Sequence, residues 1–172
     1  MRKAFTLVEL LVVVSIMAIL TIVTVSQFRT ARKRANDVAR KGDLNSVAKA
    51  LQLYFADYGI MPEAVDGQIK TDVIRKWGEE FKDSTGYIYM VKLPTENTDG
   101  WPQYCYKTDS TRKKYALFAK LEVSSDSECI DANNNGVGDF ICGLSMAASE
   151  GPYCYVNASP NARLNGKGDF EP

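Results

Sequence analysis

The sequence predicts an α+β protein in which a long N-terminal helix packs on a small antiparallel β-sheet and leads to a disulfide-tied C-terminal loop region. Three observations predict this fold. No proline occurs between Phe5 and Tyr58, apolar residues recur at every second position over residues 115–123, and all four cysteines lie in the C-terminal part of the chain. They indicate an uninterrupted helix, a half-buried strand and loops closed by disulfides.

Residues 5–28 are apolar apart from one charge, Glu9, and follow a short segment, residues 1–4, that contains Arg2 and Lys3. A helix over residues 5–28 is about 36 Å long, enough to cross a hydrocarbon core about 30 Å thick. We therefore expect a transmembrane helix here. A carboxylate inside a membrane segment is costly, so Glu9 is the first candidate for a functional residue.

Residues 3–13 read Lys-Ala-Phe-Thr-Leu-Val-Glu-Leu-Leu-Val-Val. This motif resembles the processing site of type IV prepilins and type II secretion pseudopilins. The resemblance implies that residues 1–4 are a leader, which a membrane prepilin peptidase removes between Ala4 and Phe5, and that Phe5 is then methylated. It also implies that the mature chain packs into a helical filament, in which the new amine of one subunit meets Glu9 of the next. The alternative from the residues alone is an ordinary anchor whose Glu9 reaches the lipid headgroups.

Residues 29–58 continue the helix, because apolar residues recur there at spacings of three or four. Gly59 and Pro62 are suited to end it. Residues 59–172 then form the globular head. Within the head, Val73, Ile74, Trp77 and Phe81 predict a further short helix, whereas residues 87–93, 104–107 and 115–123 predict strands, the last two forming a hairpin with one face on the long helix.

The chain contains no histidine, which excludes histidine-based acid–base catalysis and histidine zinc sites. We found no nucleophile motif or phosphate-binding loop and predict that the protein is not an enzyme. The cysteines, Cys105, Cys129, Cys142 and Cys154, lack zinc-site spacing and predict two disulfides in an oxidising compartment. Three connectivities are possible; Cys105–Cys154 and Cys105–Cys129, each with the remaining two cysteines paired, are weakly favoured. The alternative is four buried free thiols.

Residues 131–139 read Asp-Ala-Asn-Asn-Asn-Gly-Val-Gly-Asp. The side chains of Asp131, Asn133, Asn135 and Asp139, with the carbonyl of Val137, have the spacing of a calcium loop. Position 12 of that loop is Cys142 instead of glutamate, so the pattern is closer to a shorter extracellular type. The alternative is an Asn-Gly turn without an ion. Calcium is thus predicted as a structural cofactor.

Residues 29–41 contain six basic residues, for which a solvated helix face is the default interpretation and contact with lipid headgroups or DNA the alternative. Because acidic and basic residues are equal in number, nucleic acid is not indicated as a partner.

The resemblance, taken with these residues, leads to the following prediction. The protein is anchored by one helix in the cytoplasmic membrane with its head outside the cytoplasm, and then enters a cell-surface or periplasmic filament. It is a homo-oligomeric subunit that contacts the prepilin peptidase, membrane lipid and a membrane assembly platform. A surface pilus for adhesion, motility or DNA uptake is favoured over a secretion pseudopilus. A membrane-anchored extracellular binding module that does not polymerise, such as an adhesin, is the remaining alternative.

Overall fold

A computed structural model describes residues 5–123, 125–129, 153–165 and 169–171, without the side chains of residues 22–26. These residues form one helix, α1 (Leu7–Tyr58), and eight short strands: β1 (Glu63–Val65), β2 (Gln68–Lys70), β3 (Ile74–Arg75), β4 (Phe81–Lys82), β5 (Ile88–Met90), β6 (Cys105–Thr108), β7 (Tyr115–Ala119) and β8 (Tyr155–Ala158). The chain divides into two compact units, Met1–Asn36 and Asp37–Pro172. The predicted α+β class and the continuous helix are confirmed.

The first unit contains the start of α1, and every side chain described in residues 5–36 is exposed. Phe5 and Leu7 are 74% and 77% exposed. The sequence predicted that residues 5–28 span a membrane. Within the described part of the chain, no helical stretch combines the length and the hydropathy that crossing a bilayer requires.

The second unit contains the last part of α1, from Asp37 to Tyr58, and here one face of the helix is buried. Leu44, Val47 and Leu51 are fully inaccessible to solvent. The helix ends as predicted, since Gly59 takes a positive φ of 67° and its N–H donates to the carbonyl of Phe55 at 2.8 Å. This left-handed cap suits glycine, which has no Cβ to clash.

The strands form three small antiparallel sheets, in the orders β1-β2-β3, β4-β5 and β6-β7-β8. The predicted hairpin is confirmed as β6 and β7, in which Cys105 pairs with Phe118 and Thr108 with Tyr115. One face of this sheet, including Tyr106 and Leu117, shares a core with the buried face of α1. The predicted strand at residues 87–93 is the shorter β5.

The opposite face of the β6-β7-β8 sheet is buried as well. Cys105, Ala116, Phe118 and Tyr153 form a second cluster, covered by partly buried residues that include Leu164 and Phe170. The C-terminal region was predicted to be a loop region tied by disulfides. That prediction is wrong for residues 155–158, which form β8. Leu164 and Phe170 pack on the second face of the sheet, which needs an apolar cover.

The predicted short helix around Val73 and Phe81 is wrong, because this segment contains β3 and β4. Gly78 separates the two strands with a φ of 94°, which a helix does not accommodate. Trp77 and Phe81 still pack against the main core, as their apolar spacing suggested. The spacing was therefore a correct signal of burial and an incorrect signal of secondary structure.

Candidate functional site

The start of α1 is closed by a reciprocal set of hydrogen bonds between Thr6 and Glu9. The Thr6 N–H donates to Oε2 of Glu9 at 2.9 Å, and the Thr6 hydroxyl donates to the same oxygen at 2.7 Å. In return, Oγ1 of Thr6 accepts the Glu9 N–H at 3.3 Å. This is a capping box, which satisfies N–H groups that the first turn of a helix leaves without partners.

The capping box directs the Glu9 carboxylate back toward the beginning of the helix, beside the peptide that follows Phe5. Both residues of the box are exposed, and their neighbours Leu7 and Val8 are 77% and 68% exposed. The Glu9 carboxylate thus lies on an apolar helix whose side chains are exposed within the first unit. Negative charge is favourable at this end of a helix, because the backbone dipole is positive there.

Two hydroxyl side chains of the apolar segment, those of Ser15 and Thr21, are satisfied by their own helix. The Ser15 hydroxyl donates to the Val12 carbonyl at 2.8 Å, and the Thr21 hydroxyl donates to the Met17 carbonyl at 2.8 Å. Such bonds allow hydroxyl groups to lie in apolar surroundings at little cost. Glu9 is the only charged side chain among the described residues 5–28.

The basic stretch over residues 29–41 separates into two parts. Arg29, Arg32, Lys33 and Arg34 are exposed, as the default interpretation predicted. Arg40 is buried, and it contacts Asp37 at 2.8 Å, Glu96 at 2.6 Å and Glu122 at 3.2 Å. Lys41 pairs with Asp126 and Glu128, so the default interpretation is wrong for these last two residues.

Arg40 connects three segments of the head. Asp37 accepts the backbone N–H groups of Glu122 and Val123 at 2.8 and 2.9 Å, and the Arg40 guanidinium lies 4.4 Å from the ring centre of Trp101. Burial lowers the pKa of Arg40, but its hydrogen bonds to carboxylates, that to Glu96 first, outweigh burial and raise the pKa overall. The network holds loops against the helix, so its role is structural.

The favoured cysteine pairings are wrong, because Cys129 is bonded to Cys154 with their Cα atoms 4.6 Å apart. Cys105 is also disulfide-bonded. Cys105 belongs to the second cluster, whereas Cys154 belongs to the main core and is already bonded to Cys129. Cysteine spacing alone does not reveal which core each cysteine joins.

The predicted calcium ligands, Asp131, Asn133, Asn135, Val137 and Asp139, lie outside the described residues, as do Cys142 and Ala4. Tyr104, Tyr106, Tyr153 and Tyr155 are all buried, so they pack inside the head and do not form a binding surface.

Sequence reasoning missed the capping box, although its signal was present. Thr6 and Glu9 have the Thr-x-x-Glu spacing directly before an apolar run, which is the signature of such a box. The Arg40 network had no comparable signal, because its partners are 56 and 82 residues away in sequence.

Comparisons with known proteins agree with the motif at the start of the chain. The model of the prokaryotic N-terminal methylation motif matches residues 1–25. The type IV wide pilus major component PilA4 of Thermus thermophilus is 46% identical over 55 residues, which cover 32% of this chain and 42% of that protein. The chain therefore spans less than half the length of this relative.

A second relative matches the head as well as the helix. The type II secretion system core protein G of Pseudomonas aeruginosa is 30% identical over 120 residues, which cover 69% of this chain and 82% of that protein. No solved structure matches the chain. The long helix on small antiparallel sheets, the prepilin motif and these similarities together show that the chain belongs to the superfamily of type IV pilins and type II secretion pseudopilins, as a pilus or pseudopilus subunit.

Proposed function

We propose that this protein is a structural, non-enzymatic subunit of a type IV pilus-like surface filament. A prepilin peptidase cleaves it between Ala4 and Phe5, and the mature subunits polymerise through the first part of α1. The observation that carries this proposal is the start of the helix. There, Thr6 orients the Glu9 carboxylate on a helix surface whose apolar side chains are exposed.

The chemistry of Glu9 supports assembly through this segment. A carboxylate in an apolar environment needs a proton or a positive partner. Cleavage after Ala4 creates an amine on Phe5, and the Phe5 amine of a neighbouring subunit supplies that positive charge. Assembly also covers side chains such as Leu7 and Ile19, which are 77% and 65% exposed in the single chain.

Members of this family are anchored in the membrane before they assemble. For this chain we propose residues 5–28 as the anchor, in contact with membrane lipid and with the assembly platform of the cytoplasmic membrane. The Cys129–Cys154 disulfide supports a head outside the cytoplasm, because disulfides persist in oxidising compartments.

A type II secretion pseudopilin is the second candidate. It is supported by the similarity to the secretion core protein, which extends over 69% of this chain, whereas the similarity to the pilus component covers 32%. Antibody labelling of intact cells separates the candidates: a surface pilus exposes the head to antibody, and a periplasmic pseudopilus does not.

The mature N-terminus is the first measurement. Mass spectrometry of protein from its native membrane is expected to find a chain that begins at N-methylated Phe5. Glu9→Ala is then expected to lower the yield of sheared filaments by about tenfold or more, while the exposed Glu63→Ala has no effect. Two results together would contradict polymerisation: a chain that still begins at Met1, and a Glu9→Ala variant with the same filament yield as the original protein. The remaining interpretation would then be a membrane-anchored binding module.

We also propose that residues 131–139 bind calcium as a structural ion. The support is the oxygen-ligand spacing of Asp131, Asn133, Asn135, Val137 and Asp139, inside a loop whose ends are joined by the Cys129–Cys154 disulfide. Calcium is expected to raise the unfolding temperature of the protein, and Asp131→Asn with Asp139→Asn is expected to abolish the rise. An equal rise in this double variant contradicts the proposal.

A further inference from the structure

Four basic residues lie within six positions directly after the apolar part of α1: Arg29, Arg32, Lys33 and Arg34. No acidic residue occurs between Glu9 and Asp37, and all four basic side chains are exposed. We call these four residues the basic segment. Arg29, Arg32 and Lys33 share one face of the helix, because they are spaced three and four positions apart.

The basic segment has no counter-charge in the part of the chain that the structure describes. None of the described ion pairs involves its residues. Asp37 follows at helical spacing but is only 1% exposed, and its carboxylate oxygens accept from Arg40, Glu122 and Val123. Arg40 and Lys41, only a few residues further along, show that basic residues of this helix are paired where the fold supplies carboxylates.

We propose that the basic segment binds the phosphate headgroups of anionic membrane lipids, and so holds the end of the apolar helix at the membrane surface before assembly. This inference rests on the proposed membrane anchoring. Guanidinium groups bind phosphate through paired hydrogen bonds, and each basic residue near an anionic lipid surface adds to binding. The long stems of Arg and Lys lie along apolar surface while their charged ends reach the headgroups.

The position of the segment favours lipid over the other partners that its charge could attract. Arg29 directly follows Phe28, the last residue of the apolar run, so a helix inserted over residues 5–28 brings the basic side chains to headgroup depth. Nucleic acid and carboxylates of a neighbouring subunit do not require a basic cluster at this one place in the sequence.

The test uses the full-length protein in micelles of a neutral detergent. Phosphatidylglycerol or phosphatidylcholine is titrated in, and bound lipid is counted by native mass spectrometry. We expect phosphatidylglycerol to bind at least about tenfold more tightly than phosphatidylcholine at low salt, with most of the preference lost at high salt. Replacing all four residues, by Arg29→Gln, Arg32→Gln, Lys33→Gln and Arg34→Gln, is expected to abolish the preference.

A matched control removes four exposed basic side chains of the second unit, by Lys49→Gln, Lys76→Gln, Lys92→Gln and Arg163→Gln. It is expected to retain the preference, and the head of both variants is expected to unfold as in the original protein. The proposal is overturned if the first variant keeps the preference, or if the control loses it equally. If the variant without the basic segment keeps the lipid preference but forms no filaments, the basic segment takes part in contacts between subunits instead. The mature N-terminus is measured separately, so failure of the filament proposal is recognised independently.

Discussion

The two parts of α1 have the same secondary structure but different sources of stability. In residues 7–36 every described side chain is exposed, whereas between Asp37 and Tyr58 one face of the helix is buried in the main core. The second part is stabilised by the head of its own chain. The first part has no such cover within its unit, so the apolar surface that it exposes is available to lipid or to other subunits.

Charged residues show the same difference. Arg34 is exposed in the first part, and Arg40 is 4% exposed in the second, where three carboxylates and Trp101 surround it. Similar side chains on one helix therefore have different roles, according to whether the fold supplies partners. Substitutions at matched positions of the two parts test this difference.

The largest effect on stability is expected for Arg40→Ala. The change leaves the buried Asp37 and the partly buried Glu96 without their positive partner, which typically costs about 3–5 kcal/mol. Chemical denaturation of the head measures the loss. Arg34→Ala is the control and should change the free energy of unfolding by less than about 0.5 kcal/mol; equal losses from the two variants would remove the distinction between the parts.

A second pair compares two leucines of the helix that are two positions apart. Leu51 is fully buried and Leu53 is 57% exposed. Leu51→Ala leaves a cavity and is expected to lower the free energy of unfolding by about 2–5 kcal/mol. Leu53→Ala, and Leu11→Ala in the first part, should cost less than about 0.5 kcal/mol in the same denaturation experiment. A large loss from Leu11→Ala would show that the first part does contribute to the stability of the head.

A smaller effect is expected at the capping box. Thr6→Val removes the hydroxyl that bonds Glu9 and should destabilise the first turn of α1 by about 1 kcal/mol, whereas Thr6→Ser retains the box. Hydrogen exchange at the Glu9 amide, measured on the full chain in detergent, reports this change. Thr21→Val controls for loss of a hydroxyl within the helix, and faster Glu9 exchange in that variant would count against a local role for Thr6.

The smallest expected effect is a pH dependence at the other end of the helix. Asp83 accepts hydrogen bonds from Thr85, Tyr87, Tyr58 and Tyr89. The bonds from Thr85, Tyr58 and Tyr87, that from the Thr85 side chain first, lower the pKa of Asp83 from 3.8 to about 2. Because the folded pKa is depressed, the contribution of Asp83 to stability is present above pH 3.8 and is lost as pH falls toward about 2.

Acid titration followed by tyrosine fluorescence checks this expectation. Asp83→Asn cannot lose a proton, so its stability should fall less steeply over that pH interval than the stability of the original protein. Equal slopes would mean that Asp83 does not link the end of α1 to the β4-β5 hairpin in a charge-dependent way.

Local patterns accounted for much of this fold. The absence of proline, the apolar periodicity and the Gly59 cap predicted α1, and the alternation of residues 115–123 predicted β7. One local signal was overlooked: Asp66 and Gly67, both with positive φ, form the two-residue turn between β1 and β2, a turn that this dipeptide favours strongly. The segment around Trp77 was less predictable, because its apolar spacing fits a helix and two short strands alike.

The helix, the α+β class, the prepilin motif and the position of Glu9 could all be predicted from the sequence, because each depends on residues close together in the chain. Three features required the three-dimensional fold: Arg40 is buried while Arg34 is exposed, Cys129 pairs with Cys154, and β8 pairs with β7 as an edge strand of the last sheet. These features depend on which face of a strand or helix meets the core. Packing against the core brings together residues that are 25 to 86 positions apart, and a local sequence pattern contains no signal for such contacts.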